Sequence, residues 1–259
     1  MGNLRKPEEI IINGVSLREL LKSHQKWLDN KESGNKLVLE GADLSHANLI
    51  GVDLIGANLE GADLIGADLE NANLKNANLK GADLTYANLR CANLRYADLK
   101  NTDLRYVNLE NANLENASLR YGNLKNADLK NTNLEGANLI YAILEGVNLE
   151  NANLRYVNLK NANLENTNLE GAKFYLTNLY KVKRDDLFEV GHIGSRNDTT
   201  HYFVEDNRVI CGCFDNTLEE FTNKVKDTYD KDTREYIEYM IAIDTFKKYR
   251  EMYSKRKLN

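Results

Sequence analysis

Apolar and polar residues follow one another along most of this chain with a period of five. Leucine stands at every fifth position from Leu39 to Leu169, and Phe174 and Leu179 continue the same phase. Two residues before almost every leucine lies a small or β-branched residue, and Asp or Asn nearly always separates the two. An α-helix repeats its face about every 3.6 residues and a β-strand every second residue. The period therefore predicts neither a plain helix nor a plain strand.

A short extended run followed by a corner explains a period of five. The small residue and the leucine point inward, while the Asp or Asn between them and the two residues after the leucine point outward. Repeated corners build a coil, and successive coils stack through parallel ladders. Because each unit buries its apolar side only against its neighbours, residues 37–181 are predicted to form a solenoid of twenty-nine units.

The repeated motif, written A(D/N)LXX, occurs for example as Ala42-Asp43-Leu44 and Ala152-Asn153-Leu154. In this motif and its copy number the chain resembles the pentapeptide-repeat proteins. The resemblance implies an all-β solenoid, a right-handed quadrilateral parallel β-helix with four pentapeptides per coil and about seven coils here. Outside the repeat we expect an N-terminal capping helix and a small C-terminal α/β module.

Residues 1–36 are predicted to form the N-terminal capping segment. Ser16 and Glu19 make a capping box ahead of an apolar run with helical spacing. His24 and Trp27 on that run could serve a ligand site, but a cap is favoured, because a solenoid end exposes leucines and unpaired strand edges. The order His-x-x-Trp-Leu also resembles the lead-in helix of other pentapeptide-repeat proteins.

Residues 182–259 lack the period and are predicted to form a hairpin followed by two helices. The hairpin strands are 201–204 and 208–211, and a capping box at Thr217 begins the first helix. A longer helix is expected over about 233–253, with an apolar side formed by Ile237, Met240, Ile241 and Phe246. This module could cap the last coil, form a dimer or bind a partner. Parts of it resemble the C-terminal tails of some bacterial and phage pentapeptide-repeat proteins, and that resemblance implies no activity.

Composition limits the compartment and the class of partner. The three cysteines are an odd number, which favours a reducing compartment over a disulfide scaffold. Neither a signal peptide nor a membrane span is recognisable in the sequence, so a cytoplasmic protein is expected. The net charge is −5, and direct nucleic-acid binding is not expected, because the chain has no basic footprint.

Catalytic and metal chemistry find little support in the sequence. His192, His201, Cys211 and Cys213 are four candidate zinc ligands, but the Cys-Gly-Cys spacing differs from the usual zinc pairs. Buried cysteines acting as small apolar residues are the favoured alternative. No catalytic triad order, phosphate-binding loop or dinucleotide fingerprint is recognisable. We therefore expect no enzyme activity, cofactor or metal.

With four units per coil, residues twenty apart should stack into columns, and one such column is acidic. It contains Asp43, Asp63, Asp83 and Asp103. One hypothesis is that this stripe imitates a DNA phosphate backbone; the alternative is that Asp and Asn are interchangeable here. A DNA segment of similar length would carry about twenty negative charges, far more than this domain, so any mimicry would be local to the first coils.

A second candidate surface is a cluster of outward apolar residues, Tyr121, Ile140, Tyr141 and Ile143. Ile140 and Ile143 replace the charged residue and the Asn that the pattern predicts, and Tyr121 should stack beneath Tyr141. Clustered exposed apolar groups can mark an interaction surface. Stacked tyrosines, such as Tyr86 and Tyr106, are alternatively ordinary corner fillers that stabilise ladders.

These observations predict a non-enzymatic interaction or scaffold protein. The family resemblance implies a type II topoisomerase, DNA gyrase or topoisomerase IV, bound by local DNA mimicry; the weak net charge and the unbroken register count against it. The alternative is a structural or partner-recruitment module that acts through the C-terminal domain or the tyrosine–isoleucine cluster. A homodimer stays open.

Overall fold

The computed structural model describes residues 4–179, 181–193, 198–212 and 214–257, without the side chains of 191–193, 198, 256 and 257. The chain divides into two compact units. One comprises Met1–Lys173 and Thr177–Lys183, and the other comprises Phe174–Leu176 and Arg184–Asn259. Among the described residues, no helix is both long and apolar enough to cross a membrane.

The repeat forms a β-helix whose coils take twenty residues each. Parallel bridges join residues twenty apart, from Val38 with Asn58 to Asn163 with Lys183. The Leu44 N–H donates to the Asp63 carbonyl oxygen at 2.7 Å, and the Asp63 N–H donates to the Ala42 carbonyl at 3.0 Å. Four pentapeptides therefore complete one coil, and each coil satisfies backbone groups of the next.

Every corner of the β-helix depends on one residue in the left-handed region, two positions after the leucine. Gly61 has φ 64°, Asn111 has φ 60° and Tyr121 has φ 58°. The turn closes when the following residue donates to the leucine carbonyl, as Ala62 does to Leu59 at 3.1 Å. A positive φ at this position is what a type II turn requires, and Gly and Asn adopt it at low cost. These residues explain why the chain can turn every five residues.

Leucines and small residues fill the interior of the coils. The central leucines, Leu109 among them, are buried, and the residue two before each is a buried alanine, valine, threonine or glycine in most units. Thr102 and Thr132 bury hydroxyls there, which donate to the carbonyls of Leu79 and Leu109 at 3.0 and 2.9 Å. Buried polar groups are therefore satisfied without interrupting the apolar stack.

The N-terminal segment pairs with the first coil. Strands β1 (Ile11–Ile12) and β2 (Val15–Ser16) precede helix α1 (Leu17–Asp29), whose capping box is complete. The backbone N–H of Arg5 donates to the His46 carbonyl at 2.7 Å, and the Arg5 carbonyl accepts the Asn48 N–H at 2.8 Å. These two bonds extend the parallel ladder by one residue. The Leu37 N–H donates to Nδ1 of the buried His24 at 3.1 Å, and the His24 ring stacks on Trp27.

The second unit contains a four-stranded antiparallel sheet rather than a hairpin alone. Its strands follow the order β3 (Leu187–Ile193), β4 (Asp198–Phe203), β5 (Arg208–Cys211) and β6 (Phe214–Thr217). The predicted hairpin is β4–β5, and β3 and β6 were not predicted. The sequence hides β3 because Glu, Gly and His interrupt its apolar alternation, and β6 because Asp and Asn favour turns.

Helices α2 (Leu218–Thr228) and α3 (Arg234–Lys257) complete this unit. The predicted apolar side of α3 was wrong in two of its four residues, because Ile237 and Ile241 are exposed. The stripe that packs into the core consists of Tyr239, Ala242, Ile243 and Phe246. The helix carries two apolar stripes, and spacing alone does not tell which of them faces the sheet.

A buried ionic cluster stabilises the β4–β5 turn of the second unit. The guanidinium of Arg184 contacts Asp186, and its Nη2 lies 2.8 Å from Oδ2 of Asp206. Asp186 Oδ2 also accepts the Glu205 N–H at 3.0 Å. Burial raises the pKa of Asp206, and the positive charge of Arg184 opposes that rise. The cluster explains how the buried carboxylate of Asp186 is tolerated there.

Candidate interaction face

Both candidate surfaces lie on one side of the β-helix. Parallel bridges join the outward residues of this side in order: Asp43, Asp63, Asp83, Asp103, Asn123 and Ile143. We call this side the Asp face. The acidic stripe therefore occupies its first four rungs, and Ile143 continues the same column two rungs farther on. In the sequence the acidic stripe and the apolar cluster look like separate features. The twenty-residue spacing between Asp103, Asn123 and Ile143 is the signal that could have joined them in one column.

Each aspartate of the stripe has a local structural task. Its Oδ1 accepts the backbone N–H two residues later, at 2.9–3.2 Å, from Ser45, Ile65, Thr85 and Arg105. Asparagines make the same bond in other columns, as Asn88 does with the Arg90 N–H at 3.2 Å. The bond needs an acceptor oxygen and no charge, so it agrees with the interpretation that Asp and Asn are interchangeable in the turn.

Arginines neutralise two of the four aspartates. Asp43 Oδ1 lies 3.0 Å from Arg5 Nη1, and Asp103 Oδ2 lies 2.7 Å from Arg105 Nη2. Hydrogen bonds from Ser45, with a smaller contribution from Arg5, lower the pKa of Asp43. Burial opposes ionisation of Asp103, but the bonds from Arg105 hold its pKa below the ordinary value.

The remaining two aspartates, Asp63 and Asp83, lack a direct ion pair among the described residues of the Asp face, although Asp83 lies close enough to Arg105 for its charge to raise the pKa of that arginine. Within the part of the chain that the structure describes, Asp63 and Asp83 form no salt bridge. Both are half-buried, so their carboxylates stay accessible to a partner. The acidic stripe is consequently shorter than its sequence suggests.

Exposed tyrosines border the Asp face on both edges. Tyr121 and Tyr141 stand at the corner before it and stack at 5.2 Å between ring centroids. Tyr86 and Tyr106 stand at the corner after it and stack at 4.9 Å. All four have φ between 58° and 61°, which fixes their side chains at the corners. Two further left-handed tyrosines among the described residues, Tyr96 and Tyr156, lie at a corner that does not border this face.

Ile143 occupies a position where the local pattern requires an acceptor. Asn123, one rung below, accepts the Lys125 N–H at 3.2 Å, and Asn163, one rung above, accepts the Glu165 N–H at 3.0 Å. Ile143 offers no such oxygen, and its side chain is 41% exposed. Ile140 is partly buried beside it. A residue that weakens the local turn and exposes apolar surface is a candidate for binding.

The zinc hypothesis falls partly outside the described residues, because these do not include Cys213 or the side chain of His192. Of the other two candidate ligands, Cys211 has a hydrogen-bond partner, whereas the buried Nε2 of His201 lies near Glu189 without a hydrogen bond among the described residues. His201 Nε2 lies 3.3 Å from Glu189 Oε1, and Cys211 Sγ accepts from the Thr200 hydroxyl at 3.1 Å. Among the described residues, no group of three or more His, Cys, Asp or Glu side chains could hold a metal ion.

Comparison with known proteins identifies the repeat. A family described as pentapeptide repeats matches residues 37–71, 62–101, 97–136 and 132–171. Proteins of this family fold as right-handed quadrilateral β-helices, which supports the fold predicted for the repeat. Among curated proteins, none matches this chain.

Solved structures of pentapeptide-repeat proteins are also similar. A protein of the Arabidopsis thaliana thylakoid lumen is 34% identical, over 38% of this chain and 68% of that one, with a TM-score of 0.37. HetL of the cyanobacterium Nostoc sp. strain PCC 7120, involved in heterocyst differentiation regulation, is 37% identical, over 57% and 73% of the two chains, with a TM-score of 0.27. QnrB1, a plasmid-mediated fluoroquinolone resistance protein, is 20% identical, over 59% and 92%, with a TM-score of 0.30.

Proposed function

Since the chain belongs to the pentapeptide-repeat family, we propose that it is a non-enzymatic scaffold that binds a protein partner through the Asp face. One observation carries this proposal. Four exposed tyrosines border the one face that carries Ile143 and the carboxylates of Asp63 and Asp83, which form no salt bridge among the described residues.

The chemistry of the face favours a partner with a basic surface. Tyrosine is enriched at the centres of protein interfaces, where it contributes large contact area at low entropic cost. Asp63 and Asp83 would attract lysine or arginine, and an arginine could also lie on the tyrosine rings. Because backbone ladders hold these side chains on adjacent rungs, little ordering is needed on binding.

Type II topoisomerases, such as DNA gyrase and topoisomerase IV, are the partner class we propose, since their DNA-binding surfaces must be basic. In this proposal the imitation of DNA backbone is confined to Asp63 and Asp83, because arginines neutralise Asp43 and Asp103 at the two ends of the stripe. The tyrosine–isoleucine cluster supplies apolar contacts. The protein would act in the cytoplasm and would not bind nucleic acid itself.

The test is a gyrase supercoiling assay with the full-length protein, repeated with topoisomerase IV in a decatenation assay. The double variant Asp63→Asn and Asp83→Asn removes two charges but keeps the acceptor oxygens of both turns. Its matched control, Asp68→Asn and Asp128→Asn, makes the same change on a neighbouring face, where both carboxylates accept side-chain amides at 3.0 Å.

We expect inhibition by the wild-type protein, weaker inhibition by the Asp63/Asp83 variant and unchanged inhibition by the control variant. Equal loss in both variants would contradict a role specific to the Asp face. Absence of inhibition and binding with both enzymes at high protein concentration would overturn the topoisomerase assignment.

A second candidate function, recruitment of a different partner, is favoured by Tyr121, Tyr141 and Ile143, because their contacts do not depend on charge. The variant Tyr121→Asn, Tyr141→Asn and Ile143→Asn introduces the residue that other units use at these positions. Its control is Tyr96→Asn with Tyr156→Asn. Inhibition lost with the first variant but kept with Asp63→Asn and Asp83→Asn would place the contact on the apolar cluster and contradict DNA mimicry.

A further inference from the structure

The face that precedes the Asp face in each coil carries a row of like charges. Parallel bridges join its outward residues in the order Asn78, Asp98, Ser118, Asn138 and Asn158. The residues two positions after these are, in turn, Lys80, Lys100, Arg120, Ile140 and Lys160. We call the four cationic residues of this row the basic stripe. Because rungs are about 4.8 Å apart, the stripe is about 19 Å long.

On other faces the residues at the same position balance one another between rungs. Arg90 Nη1 lies 2.9 Å from Glu70 Oε1, and Lys130 Nζ lies 2.9 Å from Glu150 Oε1. The basic stripe instead begins with three cations on consecutive rungs, a run found nowhere else at this position of the repeat. Like charges on adjacent rungs repel and weaken the ladder. A surface that accepts this cost is a candidate for binding an anionic group.

Arg120 is the member of the stripe that is best placed to bind an external carboxylate. Within the described part of the chain it forms no salt bridge, and its Nε is buried without a hydrogen bond. Its guanidinium lies over the Tyr121 ring, 5.6 Å from the centroid. Arg95, on another face, lies over Tyr96 in the same way at 5.5 Å, but its Nη2 donates to Glu115 at 2.9 Å. The aromatic contact therefore holds both arginines, and only Arg120 has no carboxylate partner among the described residues.

The first two cations of the stripe have partners that an incoming carboxylate can replace. Lys80 Nζ lies 3.2 Å from Glu60 Oε1, and Lys100 Nζ lies 3.0 Å from Asp98 Oδ2. Both pairs are accessible to solvent, where ion pairs contribute little to stability. Ile140 is partly buried and interrupts the stripe before its last cation. The stripe thus presents three cations, one apolar residue and a fourth cation in a line.

We propose that the basic stripe binds an extended acidic peptide segment of a partner protein, with carboxylates on the first three cations and an apolar side chain on Ile140. An extended chain rises about 3.3 Å per residue, so about six residues match the length of the stripe. Carboxylates fit this surface because an arginine fork can hold both oxygens of one carboxylate. The segment would lie on the rigid rungs, which need little ordering on binding.

An acidic peptide suits the stripe better than a nucleic acid does. Glu60 and Asp98 lie on the same face, and the whole chain has a net charge of −5. Both would repel a continuous phosphate backbone, whereas a short segment can place its few carboxylates on the cations alone. The stripe lies outside the Asp face, so this proposal does not depend on the proposed function.

The test is fluorescence polarisation of labelled synthetic peptides with the full-length protein. Each peptide has about eight residues, all glutamate except for one leucine. Two versions carry the leucine near opposite ends, because the stripe does not fix the direction of the bound chain. We expect one version to bind, and its binding to weaken as salt is raised. The same peptide with glutamine in place of glutamate should bind at least about tenfold more weakly.

A matched pair of arginine variants shows whether the stripe is the binding site. Arg120→Gln should weaken binding by at least about tenfold, and Lys100→Gln should also weaken it. Arg95→Gln removes the same charge beside the same kind of tyrosine corner and should bind as the wild type does. Circular dichroism and thermal unfolding show whether each variant remains folded.

Three results would contradict the proposal. Absence of wild-type binding to both peptides at high protein concentration would overturn it, as would equal weakening by Arg120→Gln and Arg95→Gln. A single-stranded DNA of the same charge that binds more tightly than the peptides, and that Arg120→Gln also weakens, would overturn the assignment of a peptide as the occupant.

Discussion

Substitution of Ile143 tests whether the residue is present for binding or for stability. In the same column, the Asn123 and Asn163 side chains each accept a backbone N–H two residues later. Ile143→Asn would supply the missing acceptor for the Glu145 N–H, while Ile143→Ala would supply nothing. The pair of variants therefore isolates one turn hydrogen bond at one site.

The exposure of Ile143 and the missing turn hydrogen bond set the expected changes in the free energy of unfolding. Full burial of an isoleucine contributes about 1.5–3 kcal/mol, and Ile143 is 41% exposed, so removing its side chain should cost roughly 1–2 kcal/mol. A net hydrogen bond contributes about 0.5–1.5 kcal/mol. Ile143→Ala should therefore destabilise the protein, and Ile143→Asn should be more stable than Ile143→Ala by about 0.5–1.5 kcal/mol.

Denaturant unfolding followed by circular dichroism measures the free energy of unfolding of each Ile143 variant. Asn123→Ala is the control, because it should lose a comparable turn hydrogen bond, the one from the Lys125 N–H. Partner binding should weaken in both Ile143 variants, including the better-folded Ile143→Asn. If Ile143→Asn were no more stable than Ile143→Ala, the turn bond would contribute nothing and the idea that Ile143 weakens its own turn would be wrong.

Three further predictions concern other parts of the chain. Leu109→Ala should cost about 2–5 kcal/mol in denaturant unfolding, because the side chain is buried in a packed stack, whereas Leu176→Ala at an exposed corner should change stability by under about 0.5 kcal/mol. Burial lowers the pKa of His24 below 6.5, and the charge of Asp53 opposes the shift. Above pH about 6.5 the His24 ring is neutral in both the folded and the unfolded protein, whereas just below that pH only the unfolded protein binds a proton there. The melting temperature should therefore fall as pH drops below about 6.5, and His24→Gln should lessen this dependence. Arg184→Met should cost about 3–5 kcal/mol, because it leaves the buried carboxylate of Asp186 without its ion pair and removes the arginine that also contacts the partly exposed Asp206; a melting temperature equal to that of the wild type would contradict the need for that pairing.

The repeat was predictable because its physics is local. A leucine every five residues fixes the corner spacing, and Gly or Asn two positions later shows where the backbone must turn left-handed. The second unit was less predictable, because its strands and the orientation of α3 depend on contacts distant in sequence. Ile237 and Ile241 have the spacing of a buried face, yet the core packs against the opposite side of the helix.

The stacking of the candidate site residues into columns was predictable from the sequence, but the neutralisation of some of their charges was not. Twenty-residue spacing places Asp43 and Asp103 in one stack. Neutralisation of Asp43 by Arg5 joins residues 38 apart in sequence, and no local pattern indicates it. The role of Tyr86 and Tyr106 as the second edge of the same face emerges only when the corners are assembled.

The most direct test of the central claim is oxidative footprinting of tyrosines in the presence and absence of purified DNA gyrase. The described chain offers an internal comparison, since Tyr86, Tyr106, Tyr121 and Tyr141 border the Asp face and Tyr96 and Tyr156 do not. The account predicts that gyrase protects the first four from oxidation and leaves the other two unchanged. Protection confined to Tyr96 and Tyr156, or equal oxidation of all six with and without gyrase, would contradict it.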